Sequence, residues 1–316
     1  MPISDFTATR QAAGKGSAKE GRDTVAGRLG LSVPREWWPS APLLKSYEAA
    51  GFSWVQLHSP PPSVLIKSRA CIEHAAAVRG SLATTGLTAV VHAPDGLRAG
   101  SAAGDRGIES LLSYAAEAGA AQVVYHALAL PENLGSEAAL AAEARSLARL
   151  VPLAERLEVT IAIENLAPLY PGPDPLSAVP LNLRGLARRI GSDRLALCLD
   201  VGHAHVIADQ RHTSIERLCE PVLDLVSLFH VHDNLGARRR RSGAELGVDP
   251  QRLDLHLPPG RGTLDWSRIA PLLAGHPAPL VLEVHPPHGR EPPSSRPTRS
   301  PCCAATSRRS PERYRV

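Results

Sequence analysis

The stretch LFHVHDNLG, Leu228 to Gly236, runs from apolar residues into His230 and His232 at alternate positions, then into Asp233 and Asn234. A strand that begins in a core thus ends in metal-grade ligands. The same ending recurs along the chain. Apolar runs finish at His92, His126, Glu164, Asp200, His230 and Glu283, and His203, Asp254 and His256 lie just beyond such runs. Imidazole and carboxylate without sulfur suit Zn²⁺, Mn²⁺, Co²⁺ or Fe²⁺ rather than Ca²⁺. Four of these nine side chains are carboxylates, which can bridge ions and offset their charge, so one to three ions are conceivable. An ion there would polarise a carbonyl or lower the pKa of a bound water.

Only a fold that gathers strand ends can bring these residues together. Eight strand-like runs are legible: RLGLSV (28–33), FSWVQLH (52–58), LTAVVH (87–92), AQVVYH (121–126), VTIAIE (159–164), LALCLD (195–200), LVSLFHVHD (225–233) and PLVLEVH (279–285). Stretches of helical period separate them, the clearest being 136–157. Gly51, Gly86, Gly119 and Gly191 fall where a helix needs a left-handed C-terminal residue. Near-continuous apolar strands alternating with helices imply a parallel sheet covered on both faces. Eight such units predict an α/β fold, a closed (β/α)₈ TIM barrel, with all strand C-termini at one face. No G-x-G-x-x-G follows the first strand, which counts against a dinucleotide fold.

The chain of 316 residues, 43% hydrophobic, suffices for one large domain. We expect a disordered N-terminal extension over 1–28, a catalytic barrel over 29–285, and a disordered Pro/Ser/Arg-rich tail over 286–316. That tail stands where the barrel's last helix belongs, as though an altered reading frame had replaced it. The extension carries net +2 and residues 290–316 carry +5, so of the chain's +4 the span 29–289 keeps −3. A mildly acidic body weakens any argument from charge to nucleic acid. Five cysteines without a C-x-x-C pair, no secretory apolar segment and no run of about 18 apolar residues predict a cytoplasmic protein without a membrane span.

The motifs IAIEN (161–165), LCLDVGHAH (197–205), FHVHDN (229–234), DLHLPPGRGTLDW (254–266) and VLEVH (281–285) resemble the xylose isomerase-like TIM barrels over residues 29–285. That superfamily includes sugar and sugar-phosphate isomerases and epimerases and the endonuclease-IV-type AP endonucleases. The resemblance implies a metal centre at Glu164, Asp200, His230 and Glu283, with Glu164 and Glu283 as the acid/base pair that moves a proton at a substrate carbon. In the nuclease branch the positions matching His92, His126, His203, Asp254 and His256 complete a three-zinc site for phosphodiester cleavage.

Several features favour the isomerase branch. The first strand lacks the histidine of the nucleases, NLAPLYPGPDP after Glu164 departs from their pattern, and HAPDGLRAG offers no aromatic to enter a DNA stack. The reading is therefore a metal-dependent sugar or sugar-phosphate isomerase or epimerase using Mn²⁺, Zn²⁺, Co²⁺ or Mg²⁺. A zinc-dependent AP endonuclease acting on nucleic acid is the alternative, and a catalytically weak sugar- or metal-binding barrel a second. Assembly into a homo-oligomer is compatible with either. ARRRRSG (237–243) lies in a loop on the catalytic face, where Arg238, Arg239, Arg240 and Arg241 could grip a phosphate. His58 and His232 are further candidates for substrate contact. His232 and Asp233 could also orient His230, PPGRG (258–262) reads as a shaped turn positioning the last strand together with Asp254 and His256, and Cys198 reads as an inert core thiol. His205, His285, Trp37 and Trp38 read as structural.

Overall fold

The computed structural model describes residues 25–66, 68–129, 137–168, 174–237 and 253–284. The strands are β1 (Leu29–Ser32), β2 (Trp54–His58), β3 (Thr88–His92), β4 (Ala120–Tyr125), β5 (Thr160–Glu164), β6 (Leu195–Asp200), β7 (Val226–Val231) and β8 (Leu280–Leu282). Among them lie α1 (Ala41–Ala49), α2 (Pro62–Leu65), α3 (Ser68–Leu82), α4 (Ala102–Ala118), α5 (Glu137–Arg156), α6 (Pro180–Ile190), α7 (Val201–Gln210), α8 (Ile215–Cys219) and α9 (Trp266–Gly275). Every strand pairs in parallel with its chain neighbour, and β1 pairs with β8, so the sheet closes into the (β/α)₈ barrel the sequence predicts.

Period-two alternation explains what fills the barrel and what caps it. Val90, Val124, Ala162, Cys198, Leu228 and Val281 form one buried apolar cluster inside the closed sheet. Two residues further along each of those strands, on the same face, come His92, His126, Glu164, Asp200, His230 and Glu283. The intervening Val91, Tyr125, Ile163, Leu199 and Phe229 belong instead to the large cluster between sheet and helices. An apolar floor and a ring of imidazole and carboxylate side chains are therefore consecutive layers of one barrel.

Gly51, Gly119 and Gly191 take positive φ, as expected past a helix end. Gly86 does not. It lies four residues beyond α3, and its N–H donates to Glu48 Oε1 at 2.7 Å, so its role is a loop contact. Residues 25–28, assigned from sequence to the disordered extension, form a 3₁₀ turn. Arg28 is the reason: it is buried, and its guanidinium donates to the carbonyls of Leu273, Ala274, His276 and Ala278 at the end of α9. A cation there satisfies carbonyls that the helix leaves open. The remainder of the N-terminal extension and the tail after Val284 lie outside the described residues, and with them the expectation of a missing last helix. Among the described residues no helix is long and apolar enough to cross a membrane.

Candidate metal centre

The strand ends bring the nine predicted residues into one buried, contiguous cluster. Donor atoms of Glu164, Asp200, His230 and Glu283 all lie within 4.8 Å of one another, and so do those of His92, His126 and Glu164. A further group comprises His203, His232, Asp254 and His256 at the same spacing. Glu164 joins the first two groups: its Oε1 lies 3.1 Å from His230 Nδ1, and its Oε2 lies 3.2 Å from His126 Nε2 and 3.4 Å from His92 Nε2. Glu283 Oε2 approaches His230 Nδ1 to 3.3 Å, and Asp200 Oδ2 to 3.8 Å.

The histidines are fixed by their other nitrogens. Nδ1–H of His92 donates to Ala93 O at 2.7 Å, that of His203 to Asn165 O at 2.8 Å, and that of His256 to Glu283 O at 2.9 Å. A carbonyl can only accept, so each Nε2 is left facing the carboxylates, the arrangement metal-ligating histidines adopt. His230 is turned the other way. Its Nε2 donates to Gln56 Oε1 at 2.7 Å, and Gln56 Nε2 donates to Glu283, which aims His230 Nδ1 at the cluster.

Electrostatics agree with a site made for cations. Burial opposes charge on Glu164, yet His230, His126 and His92 hold its pKa well below the usual carboxylate range. Burial likewise opposes charge on His203, but Asp200 and Asp254 raise its pKa well above normal, and Asp254 lifts His256 to about 9 against the same penalty. Glu164 Oε2 is buried and makes no well-formed hydrogen bond, although two imidazole nitrogens face it. Oxygen and nitrogen donors within 4.8 Å of one another fit a divalent ion of the Zn²⁺ or Mn²⁺ kind.

Two expectations need correction. His232, predicted to meet substrate, is fully buried; its ring lies parallel to that of His256, 4.0 Å away at 11°. No ion can lie in both ring planes at once, so His232 and His256 do not share one. Instead His232 Nε2 donates to Asp200 Oδ2 at 3.1 Å. Gly202 makes room for this: a Cβ there would sit 2.2 Å from His232 Cε1. Asp233 does not orient His230. Its carboxylate accepts from the loop before α9, as Gly260 N at 2.9 Å and Leu264 N at 3.1 Å show.

The other candidates divide. His58 stands at the mouth with its ring 5.7 Å from that of His92, and burial together with His92 pushes its pKa down to about 3. His205 bonds Thr263 Oγ1 at 3.0 Å, and Trp38 packs edge-on to His74. Arg238, Arg239, Arg240, Arg241 and His285 lie outside the described residues. Cys198 is buried in the floor, its thiol pushed up to about 12, and its sulfur lies within 4.8 Å of donor atoms on Glu164 and His230.

Sequence reasoning missed Gln56 and Asn165. A fully buried amide in the apolar run WVQLH was the available signal for Gln56. Asn165 clamps two strand ends, accepting from Asp200 N at 2.8 Å and donating to Asp200 O at 2.9 Å.

A closed parallel barrel with a carboxylate and imidazole cluster at its mouth defines the class. The family described as xylose isomerase-like TIM barrel matches residues 44–299, and the chain belongs to it. Solved structures agree on the fold. A D-tagatose 3-epimerase-like protein superposes with TM-score 0.61 at 21% identity, over 81% of this chain and 90% of that one. D-psicose 3-epimerase in the presence of D-fructose gives 0.58 at 15%, over 82% and 85%. The IOLI protein with a bound zinc atom gives 0.60 at 16%, over 82% and 90%. No curated protein matches the sequence.

Proposed function

We propose that this chain is a divalent-metal-dependent isomerase or epimerase of a sugar or sugar phosphate. One observation carries the reading: two buried carboxylates, Glu164 from β5 and Glu283 from the end of β8, approach the same imidazole nitrogen at 3.1 Å and 3.3 Å. Glu164, Asp200, His230 and Glu283 would hold the ion, which when bound supplies Lewis acidity to a carbonyl and its neighbouring hydroxyl. One carboxylate takes the proton from the hydroxyl-bearing carbon next to the carbonyl, and the other returns one. Gln56 fixes His230 and Glu283 for this. His58, half-exposed beside His92, reaches the substrate from the mouth. The epimerase folds among the similar structures, one solved with D-fructose present, support a polyol substrate. Exchange of a ketose proton into heavy water, lost in Glu283→Gln, is the test; retained exchange removes Glu283 from the proton transfer.

A second reading, zinc-dependent cleavage of nucleic acid at abasic sites, draws on a separate observation. His92 and His126 adjoin the central four through Glu164, and His203, which approaches Asp254, adjoins them through Asp200. About three zinc ions per chain, with nicking of a duplex carrying one abasic site, would replace the first reading by this one.

A further inference from the structure

By alternation Asp233 faces away from His230 and His232, and its fully buried carboxylate is saturated with donors. Oδ1 accepts from Asn234 N at 2.9 Å and Leu264 N at 3.1 Å. Oδ2 accepts from Gly260 N and Trp266 Nε1, both at 2.9 Å. The Asp233 backbone also exchanges two hydrogen bonds with Leu257, at 2.7 Å and 2.8 Å. Gly262 is pressed against the same point, where a Cβ would come within 2.2 Å of Asp233 Oδ1. One residue thus holds both ends of the segment between Leu257 and Trp266, its backbone at Leu257 and its carboxylate at Gly260, Leu264 and Trp266.

That segment begins one residue after His256. Asp254 and His256 lie in no strand or helix, and His256 holds φ +50°, a left-handed conformation that persists in a non-glycine residue only when its surroundings enforce it. We propose that Asp233 is the positioning residue of the loop-borne ligands: it fixes Leu257–Trp266 and so holds Asp254 and His256 where one ion can take both. The inference rests on the metal-centre reading above. It assigns to Asp233 the choice between a barrel mouth that fills only at its strand ends and one that fills across its width.

The full-length protein, equilibrated with Zn²⁺ and analysed for zinc per chain, gives the test. Asp233→Asn keeps an acceptor oxygen but sets an amide NH₂ against Gly260 N–H and Trp266 Nε1–H. It is expected to lose the ion that His256→Ala loses, or to bind it about tenfold more weakly, the scale on which outer partners of ligands act. The ion on Glu164, Asp200, His230 and Glu283 stays, and the double variant loses no more than either single one. Amide exchange quickens at Leu257, Gly260 and Leu264 while β5 and β6 keep their protection, a pattern that general destabilisation does not produce. Unchanged zinc count and affinity in Asp233→Asn overturn the proposal, as does faster exchange spread evenly through the barrel. Should Asp233→Asn not fold, Trp266→Phe, which removes one donor, decides: it weakens that ion several-fold, or the proposal falls. If the unaltered protein takes up no zinc, the metal reading fails by itself. Asp233 is then judged by exchange alone, and undisturbed amides at 257–264 overturn it.

Discussion

Two sets of candidate ligands in this barrel share one chemistry and are held by different means. Glu164, Asp200 and His230 sit in paired strands, where Asp200 registers with His230 and Glu164 with Cys198. Their Cα positions follow from the ladder that closes the sheet. Asp254 and His256 have no ladder. Their contacts include each other, His203, the stacked ring of His232 and the Glu283 carbonyl, and the Asp233 network follows them in the chain. His203 is intermediate: it stands in the first turn of α7, whose end Asp200 caps by accepting from His203 N at 2.7 Å. Strand-borne ligands therefore share the stability of the whole barrel, whereas loop-borne ligands can be lost while the barrel stands.

The largest effect should come from the residue common to two groups. Glu164→Gln is expected to lower turnover by about a thousandfold, within the range for a general acid or base, and to release ions from the strand-borne side. Steady-state rates and metal analysis check both. A variant retaining full activity would remove Glu164 from the centre.

Next come two substitutions that separate the sets. Gly202→Ala drives a methyl into the His232 ring, which is 2.2 Å from the new Cβ, and should cost about 1–3 kcal/mol of stability in denaturant unfolding. Gly262→Ala places its Cβ 2.1 Å from Asn234 O, and should cost comparable stability while weakening the loop-borne ion more than the strand-borne one. Equal losses of both ions in Gly262→Ala would erase the distinction between strand and loop.

A pH series sharpens it further. His256 titrates near 9 in the folded chain against about 6.5 unfolded, because the Asp254 carboxylate outweighs burial. The chelated protein therefore holds this contribution below about pH 6.5 and loses it as pH rises to about 9. Zinc needs the neutral ring, so its affinity at His203, Asp254 and His256 should climb over that same interval. Opposite slopes with and without zinc are the expected result, read from unfolding midpoints. The smallest effect falls on His58→Ala, at the mouth rather than in the cluster: a several-fold rise in KM with kcat nearly kept, as loss of uniform binding gives.

Much of the site was legible before any coordinates, for one physical reason. A strand displays alternate residues on one face, so an apolar run ending in a histidine or carboxylate announces a ligand layer above a floor. Strand order followed from alternation with helices, and all nine cluster residues were named from type and place. What failed has a physical cause in each case. His232 follows His230 at the same period, and nothing local says that His256 will lie flat upon it. Asp233 looked like a partner of its neighbour and proved to bind a loop some thirty residues on, as its 2.9 Å bond to Gly260 N shows. Gln56 reads as one polar residue in a strand until His230 arrives across the barrel.

The sequence by itself determined which chemical groups stand at the strand ends and which face each takes, because side-chain type and backbone period are local properties. Only the tertiary structure decided that Glu164 serves two groups, that Gln56 turns His230, and that Asp233 secures the segment bearing Asp254 and His256. Those outcomes depend on distances between residues far apart in the chain, which are fixed when the sheet closes and its loops fold back on it.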